Sequence, residues 1–197
     1  MKKTIMSVAL STSVMAGSAS ASTLTELFSS FWVLGDSLSA FAGPVGGEDT
    51  ARASNGALWS EQIISDFEAV GRQAQSYAVG GATAGLAGPR DLAAQTERLV
   101  AEQNNDFDPS LDNLDKDALV AIWIGGNDVG AFQAGLSPFT SRTAYASSLS
   151  ALVDAGVRNF LLFEVPNVGF TPLVRSGPEG VPTEETLFNS AIAAGAA

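Results

Sequence analysis

Three polar groups that suit chemistry at a carbonyl lie far apart in the sequence, each just after an apolar run and a glycine. Ser37 offers a hydroxyl, Gly81 offers a backbone N–H that no side chain obstructs, and Asn127 offers an amide donor. A serine hydroxyl can attack a carbonyl carbon, and fixed N–H donors stabilise the oxyanion that forms. Together the three residue types indicate acyl transfer at a serine, provided that the fold brings them to one place.

Buried parallel strands would do so. Four short apolar runs that end at glycine or proline predict strands at residues 31–34, 75–79, 118–124 and 159–165. The carboxyl ends of parallel strands share one edge of a sheet, and ligands bind at that edge. Ser37, Gly81 and Asn127 are therefore expected to meet there.

Helical patterns separate the predicted strands. Apolar residues at helical spacing predict helices over residues 55–69, 89–103, 143–155 and 183–194, with Asn55 as an N-cap and Trp59 in the core. Alternating strands and helices predict an α/β domain with a doubly wound parallel sheet.

The three glycine-rich segments resemble the conserved blocks of the GDSL, or SGNH, lipases and esterases. Residues 35–39 read Gly-Asp-Ser-Leu-Ser, residues 77–83 resemble the second block, and residues 125–128 read Gly-Gly-Asn-Asp. The resemblance implies a flavodoxin-like sheet of five strands and hydrolysis of a lipid, small carboxylate ester or acetylated sugar without a cofactor. It also implies Ser37 as nucleophile, with Gly81 and Asn127 forming the oxyanion hole. The ordinary α/β-hydrolase elbow Gly-x-Ser-x-Gly is absent, because residue 39 is serine.

The sequence departs from this family at its general base. The family's last block is Asp-x-x-His, but these 197 residues contain no histidine. We therefore expect residues 22–197 to be a C-terminally incomplete domain that lacks its last strand and last helix, with an exposed strand edge prone to association. The alternative is a catalytically inactive fragment or a binding domain that keeps the oxyanion pocket.

No other residue is a convincing substitute for the histidine. Lys116 precedes the third predicted strand and so falls at the opposite edge of the sheet from Asn127. Asp36 and Asp128 are near the expected site, but a carboxylate with an ordinary pKa of about 4 is a poor base for an alcohol. The sequence therefore predicts little or no ester hydrolysis by the 197-residue chain alone.

Composition narrows the possible partners. The net charge of −11 disfavours nucleic acid and anionic membranes as partners, and the absence of cysteine excludes disulfides and thiolate sites. Five aspartates within residues 106–117 lack the glycine and final glutamate of a calcium loop, so they indicate a solvated connection and no metal site. The glycines at 81, 85 and 88 fit neither a dinucleotide-binding fingerprint nor a P-loop.

The first 21 residues have the pattern of a secretory signal peptide. Two lysines precede an apolar run that is too short to span a bilayer, and residues 19–21 read Ala-Ser-Ala. The alternative is a first amphipathic helix. The signal-peptide interpretation predicts an exported protein, periplasmic or extracellular, whose mature part does not insert stably into a membrane.

Overall fold

The computed structural model describes residues 22–41, 54–104, 113–133 and 137–165. The predicted signal peptide, most of the aspartate-rich stretch and the predicted helix at residues 183–194 lie outside the described residues.

The described residues form four strands and five helices, with at least one helix between successive strands. The strands are β1 (Phe31–Gly35), β2 (Ala74–Ser76), β3 (Leu119–Trp123) and β4 (Asn159–Leu162). The helices are α1 (Ser22–Leu27), α2 (Trp59–Ala69), α3 (Leu92–Gln103), α4 (Gly126–Gln133) and α5 (Pro138–Asp154). The predicted α/β class is confirmed.

All strand pairs are parallel, and the spatial order is β2-β1-β3-β4. β1 lies at the centre, pairing Phe31 with Leu119 and Gly35 with Trp123 on one side and Phe31 with Ala74 on the other. This order matches the first four positions of the flavodoxin-like sheet. After β1 the chain crosses to β2 on one side of the sheet, and after β3 it crosses to β4 on the other side. The topological switch point therefore lies between β1 and β3.

Apolar side chains on both faces of the sheet form two cores. Alternate residues of β1 point to opposite faces, so that Trp32 and Leu34 pack on the α3 and α5 side, whereas Phe31 and Val33 pack on the α2 side. Every residue of β1 is buried. Trp59 is partly buried against Phe31, with ring centroids 6.4 Å apart, as expected for a core residue. Because helices cover both faces, the parallel sheet is doubly wound, as predicted.

Two helices begin later than the sequence pattern predicts. α2 begins at Trp59, because the Glu61 carboxylate accepts the Leu58 N–H at 2.6 Å and stabilises the first turn there, rather than at Asn55. α3 begins at Leu92, because Asp91 uses its carboxylate to bind the preceding loop. Within the described ranges, no helix is both long enough and apolar enough to cross a membrane.

Candidate active site

The chain turns sharply where β1 ends. The Asp36 N–H donates to the Trp123 carbonyl of β3 at 3.2 Å, and the Asp36 carbonyl accepts the N–H groups of Ser39 and Ala40 at 3.0 and 2.9 Å. Ser37 lies in this turn and is partly exposed, and its neighbour Leu38 is 39 % exposed. The predicted nucleophile is therefore at the carboxyl edge of the central strand, within reach of solvent.

Gly35 allows β1 and β3 to approach closely before this turn. A Cβ atom at Gly35 would lie 2.4 Å from the Trp123 carbonyl oxygen, a distance that real side chains do not adopt. Only glycine fits here without a backbone shift. This close approach holds the Ser37 turn against the end of β3.

The side chain of Gln95 on α3 binds Gly35 from the other side. Its Oε1 accepts the Gly35 N–H at 2.8 Å, and its Nε2 donates to the Gly35 carbonyl at 2.8 Å and to the Arg90 carbonyl at 2.7 Å. β2 ends before the level of Gly35, so the Gly35 N–H finds its acceptor on α3 rather than on a neighbouring strand. The sequence does not reveal this role, because a buried glutamine in a helix has no distinctive motif.

The second glycine-rich segment continues from β2 and forms a turn beside Gly35. The Val79 N–H donates to the Gly35 carbonyl at 3.1 Å, and the Ala82 N–H donates to the Val79 carbonyl at 3.2 Å. Gly81 sits at the third position of this turn with a φ of 77°, which matches the glycine position of a type II turn. Gly81 is exposed, so its backbone is open to a ligand.

Asn127 lies at the start of α4 and contacts the Gly81 segment directly. Its Nδ2 donates to the Ala82 carbonyl at 2.8 Å. Because an asparagine amide nitrogen carries two hydrogens, this bond leaves the second hydrogen for another acceptor. The Asn127 side chain therefore binds the turn that contains Gly81. Both lie at the same sheet edge as Ser37.

Two buried carboxyl groups flank these residues. Asp36 and Asp128 are each only 2 % exposed. Burial, opposed by a hydrogen bond from the Leu38 N–H and reinforced by the nearby charge of Asp128, raises the pKa of Asp36 above the ordinary aspartate value. Asp128 accepts hydrogen bonds from the segment after Gly81. Both carboxyl groups are thus part of the scaffold around the predicted nucleophile.

Aromatic rings cover the α2 side of the same edge. Trp123, the last residue of β3, stacks on Phe163 with centroids 4.9 Å apart, and Trp59 lies 4.7 Å from Phe163. The indole N–H groups of Trp59 and Trp123 are buried and have no hydrogen-bond acceptor among the described residues.

Among the residues that the structure describes, no histidine or lysine stands beside this site. The sequence has no histidine, and Lys116 is an exposed residue before β3 that pairs with Asp117 at the amino edge, as predicted. Within the described part of the chain, no cluster of three or more acidic side chains could hold a metal ion.

The sequence is similar to those of several known proteins. A sequence model of the GDSL-like Lipase/Acylhydrolase family matches residues 32–195. The chain is 31% identical over 163 residues to an acetylesterase of Thermothelomyces thermophilus, covering 72% of this chain and 52% of the relative. It is 30% identical over 177 residues to Lipase 1 of Photorhabdus luminescens, covering 82% of this chain and 26% of that protein.

Among solved structures, protein YXIM of Bacillus subtilis aligns with a TM-score of 0.48 at 13% identity, covering 85% of this chain and 41% of that one. The chain thus spans about half the length, or less, of these known proteins.

Proposed function

The chain belongs to the GDSL-like lipase and acylhydrolase family, and from this premise we propose that it cleaves ester bonds with Ser37 as the nucleophile. The Gly81 N–H and the Asn127 Nδ2 are proposed to donate to the oxyanion. The observation that carries the proposal is the 2.8 Å bond from Asn127 to Ala82, which joins the second and third glycine-rich segments. The 3.2 Å bond from Asp36 to Trp123 ties the Ser37 turn to the same edge.

The proposed reaction has two halves. The Ser37 Oγ forms a bond to the ester carbonyl carbon, the carbonyl electron pair moves onto oxygen, and the two donors stabilise that charge. The oxyanion then collapses, the bond to the alcohol oxygen breaks, the alcohol leaves with the electron pair and takes up a proton from solvent, and the acyl group remains on Ser37. Water attacks this acyl-serine in the same way, releasing the carboxylic acid and restoring the hydroxyl.

Proton transfer limits this reaction in the 197-residue chain. The Ser37 hydroxyl needs an acceptor for its proton, and the sequence contains no histidine. Neither buried carboxyl group is suited to that role, because a carboxylate is a far weaker base than an alkoxide and both groups already accept hydrogen bonds within the scaffold. We therefore expect slow acylation of Ser37, with the proton passing to solvent, and even slower release of the acyl group.

We propose small carboxylic esters as the substrate class, with acetyl esters as the first member to test. The support is the 31% identity to a protein named acetylesterase. Lipid esters and acylated sugars are the alternatives, and comparison of acetyl, octanoyl and acetyl-xylan substrates distinguishes them.

Acetylation of Ser37 tests the proposal directly. The chain is incubated with p-nitrophenyl acetate, and peptide mass spectrometry follows the gain of one acetyl group on the peptide that contains Ser37. We expect the adduct to accumulate, because deacylation also needs a base. Asn127→Ala should lower the acetylation rate by roughly a hundredfold, the usual effect of losing one oxyanion donor.

Ser37→Ala is the control, because it removes the nucleophile and should abolish acetylation of that peptide. Acetylation of surface groups alone, at the same rate in both proteins, would contradict the proposal. The absence of histidine favours a second candidate, a binding domain that retains the pocket. Tight, saturable binding of the intact ester without any Ser37 adduct would support that candidate.

We also propose that the protein is exported, from the signal-peptide pattern of residues 1–21. Expression of the full sequence in a bacterium, followed by N-terminal sequencing of the periplasmic and medium fractions, should find a chain that begins near residue 22. A cytoplasmic chain that retains residue 1 would contradict export.

A further inference from the structure

The carboxylate of Asp128 is the centre of a buried hydrogen-bond network. This network is separate from the hydrogen bond that the neighbouring Asn127 makes. Its Oδ2 accepts the Ala84 N–H at 2.8 Å, and its Oδ1 accepts the Gly85 N–H at 2.9 Å and the Ser141 hydroxyl at 2.6 Å. The donors lie on other segments of the chain than Asp128. Two are in the segment after Gly81 and one is in α5. Asp128 therefore connects the start of α4 with both.

The backbone N–H groups around Gly81 are almost all used. The Ala82 N–H donates to Val79 within the turn, and the Thr83 N–H donates to the Asp91 carboxylate at 2.7 Å. The next two N–H groups of the segment donate to Asp128. Over residues 81–85, and counting acceptors among the described residues only, the Gly81 N–H is the one without a partner. The segment is thus held in a shape that leaves this donor open to a ligand.

Asn127 and Asp128 bind the same segment, Asn127 as a hydrogen-bond donor and Asp128 as an acceptor. The Asn127 amide donates to the Ala82 carbonyl, whereas the Asp128 carboxylate accepts N–H groups only two and three residues later. Two consecutive residues of α4 thus fix the position of the Gly81 segment relative to the Asn127 side chain. A shift of either would move one oxyanion donor away from the other.

We propose that Asp128 is a positioning residue for the oxyanion hole, which sets the spacing between the Gly81 N–H and the Asn127 amide without touching the substrate. This inference rests on the proposed function, because it assumes that those two donors serve the reaction of Ser37. A carboxylate suits the role, because it accepts three hydrogen bonds on two oxygens. An asparagine here would turn its NH₂ group towards one of the donors and lose at least one bond.

The test compares Asp128→Asn with Ser141→Ala and Thr143→Ala. The asparagine variant is nearly isosteric. Ser141→Ala removes one donor but leaves both backbone bonds intact. Thr143→Ala changes an exposed residue of α5 whose hydroxyl donates to the Phe139 carbonyl. For each protein, the acetylation rate of Ser37 by p-nitrophenyl acetate is measured over a range of ester concentrations, together with urea unfolding and ¹H–¹⁵N NMR spectra.

We expect Asp128→Asn to lower the maximal acetylation rate by roughly a hundredfold while the half-saturating ester concentration changes less than about threefold. Ser141→Ala should lose less than about fivefold and Thr143→Ala should match the parent. In the spectra, Asp128→Asn should shift the Gly81 N–H and Asn127 side-chain signals, which Ser141→Ala should leave nearly in place. A folded Asp128→Asn protein with the parent's rate and unchanged signals would overturn the proposal, as would equal losses in Asp128→Asn and Ser141→Ala.

Two further measurements test the positioning role of Asp128 separately from the proposed reaction of Ser37. If the parent protein forms no Ser37 adduct, the proposed function fails, and the Gly81 and Asn127 signals still show whether Asp128 fixes their spacing. If Asp128→Asn does not fold, hydrogen exchange in the parent decides. Slow exchange of the Ala84 and Gly85 amide protons supports the network, and exchange as fast as in an unstructured peptide overturns it.

Discussion

At the scale of single residues, Asp36 shows how the site affects stability. Burial, with the nearby charge of Asp128, raises the pKa of Asp36, although the Leu38 N–H opposes the shift. Between the ordinary pKa and the raised one, the folded chain binds more protons than the unfolded chain. The free energy of unfolding therefore falls as pH rises through this window, and stays lower above it.

Asp36→Asn should accordingly stabilise the protein at pH 7. Asparagine keeps an oxygen that can accept the Leu38 N–H but removes the buried charge beside Asp128. We expect a higher urea midpoint at pH 7 and a gain that disappears below pH 4, near the ordinary aspartate pKa. Urea unfolding followed by tryptophan fluorescence at both pH values measures this. Glu97→Gln, at an exposed position of α3, is the control, and a gain of equal size at both pH values would contradict the explanation.

Gln95 gives a second residue-scale prediction. Gln95→Leu fills a similar volume but removes all three hydrogen bonds of the side chain and leaves the buried Gly35 N–H without an acceptor. We expect a loss of about 3 kcal/mol in the free energy of unfolding, since each orphaned buried group costs about 1–3 kcal/mol.

Gln95→Glu tests the polarity of the same contact. It keeps the oxygen that accepts the Gly35 N–H but places a second oxygen against the Gly35 and Arg90 carbonyls. We expect a comparable loss at pH 7, measured by urea unfolding. Parent-like stability of both variants would show that this side chain does not hold the end of β1.

At the scale of elements, one glycine is required by close packing, whereas another has room for a side chain. Gly35 ends β1 where a Cβ atom would lie 2.4 Å from the Trp123 carbonyl, whereas Gly130 lies in α4 with nothing within 4 Å of the same position. Gly35→Ala should therefore separate β1 from β3 and destabilise the fold by about 1–3 kcal/mol. Gly130→Ala should stabilise α4 by up to about 1 kcal/mol. Thermal unfolding by circular dichroism measures both changes, and a neutral Gly35→Ala would contradict the close approach.

The strands were the elements that the sequence predicted best. β1 and β3 are apolar on both faces because helices cover both sides of a parallel sheet, so their runs of residues stand out from the amphipathic helices. The relative order of the strands was expected from the family resemblance and is confirmed for the four that are described. The sequence also indicated which edge holds Ser37, Gly81 and Asn127, while their catalytic roles stay predictions.

Long-range polar contacts explain what the sequence did not predict. The starts of α2 and α3 depend on where the carboxylates of Glu61 and Asp91 bind, and local patterns alone do not determine that choice. α4 begins with glycine and asparagine, which are poor helix formers, so its short helix was missed. The partners of Gln95 and Asp128 are distant in sequence, and only the folded structure reveals them.

At the scale of the whole molecule, β4 is an apolar edge strand of the sheet that the described residues form. Among the described residues β4 pairs only with β3, and Leu162 is 48% exposed. Unpaired strand edges of this kind promote association between chains. We expect the purified chain to form dimers or larger species as its concentration rises, and Leu162→Lys to reduce this in light scattering. Leu27→Lys, on α1 and away from the sheet, is the control, and a concentration-independent monomer would contradict the prediction.

The placement of the switch point between β1 and β3 has a consequence for synthesis of the protein. Ser37 is translated early, but Asn127, the amide donor proposed for its reaction, follows about ninety residues later, at the start of α4 just after β3. A nascent chain that stops before β3 therefore contains the Ser37 hydroxyl and Gly81 but lacks the proposed Asn127 donor. On the proposed roles, reactivity towards esters arises only once β1 and β3 have paired, so a growing polypeptide stays chemically inert while it is still being made.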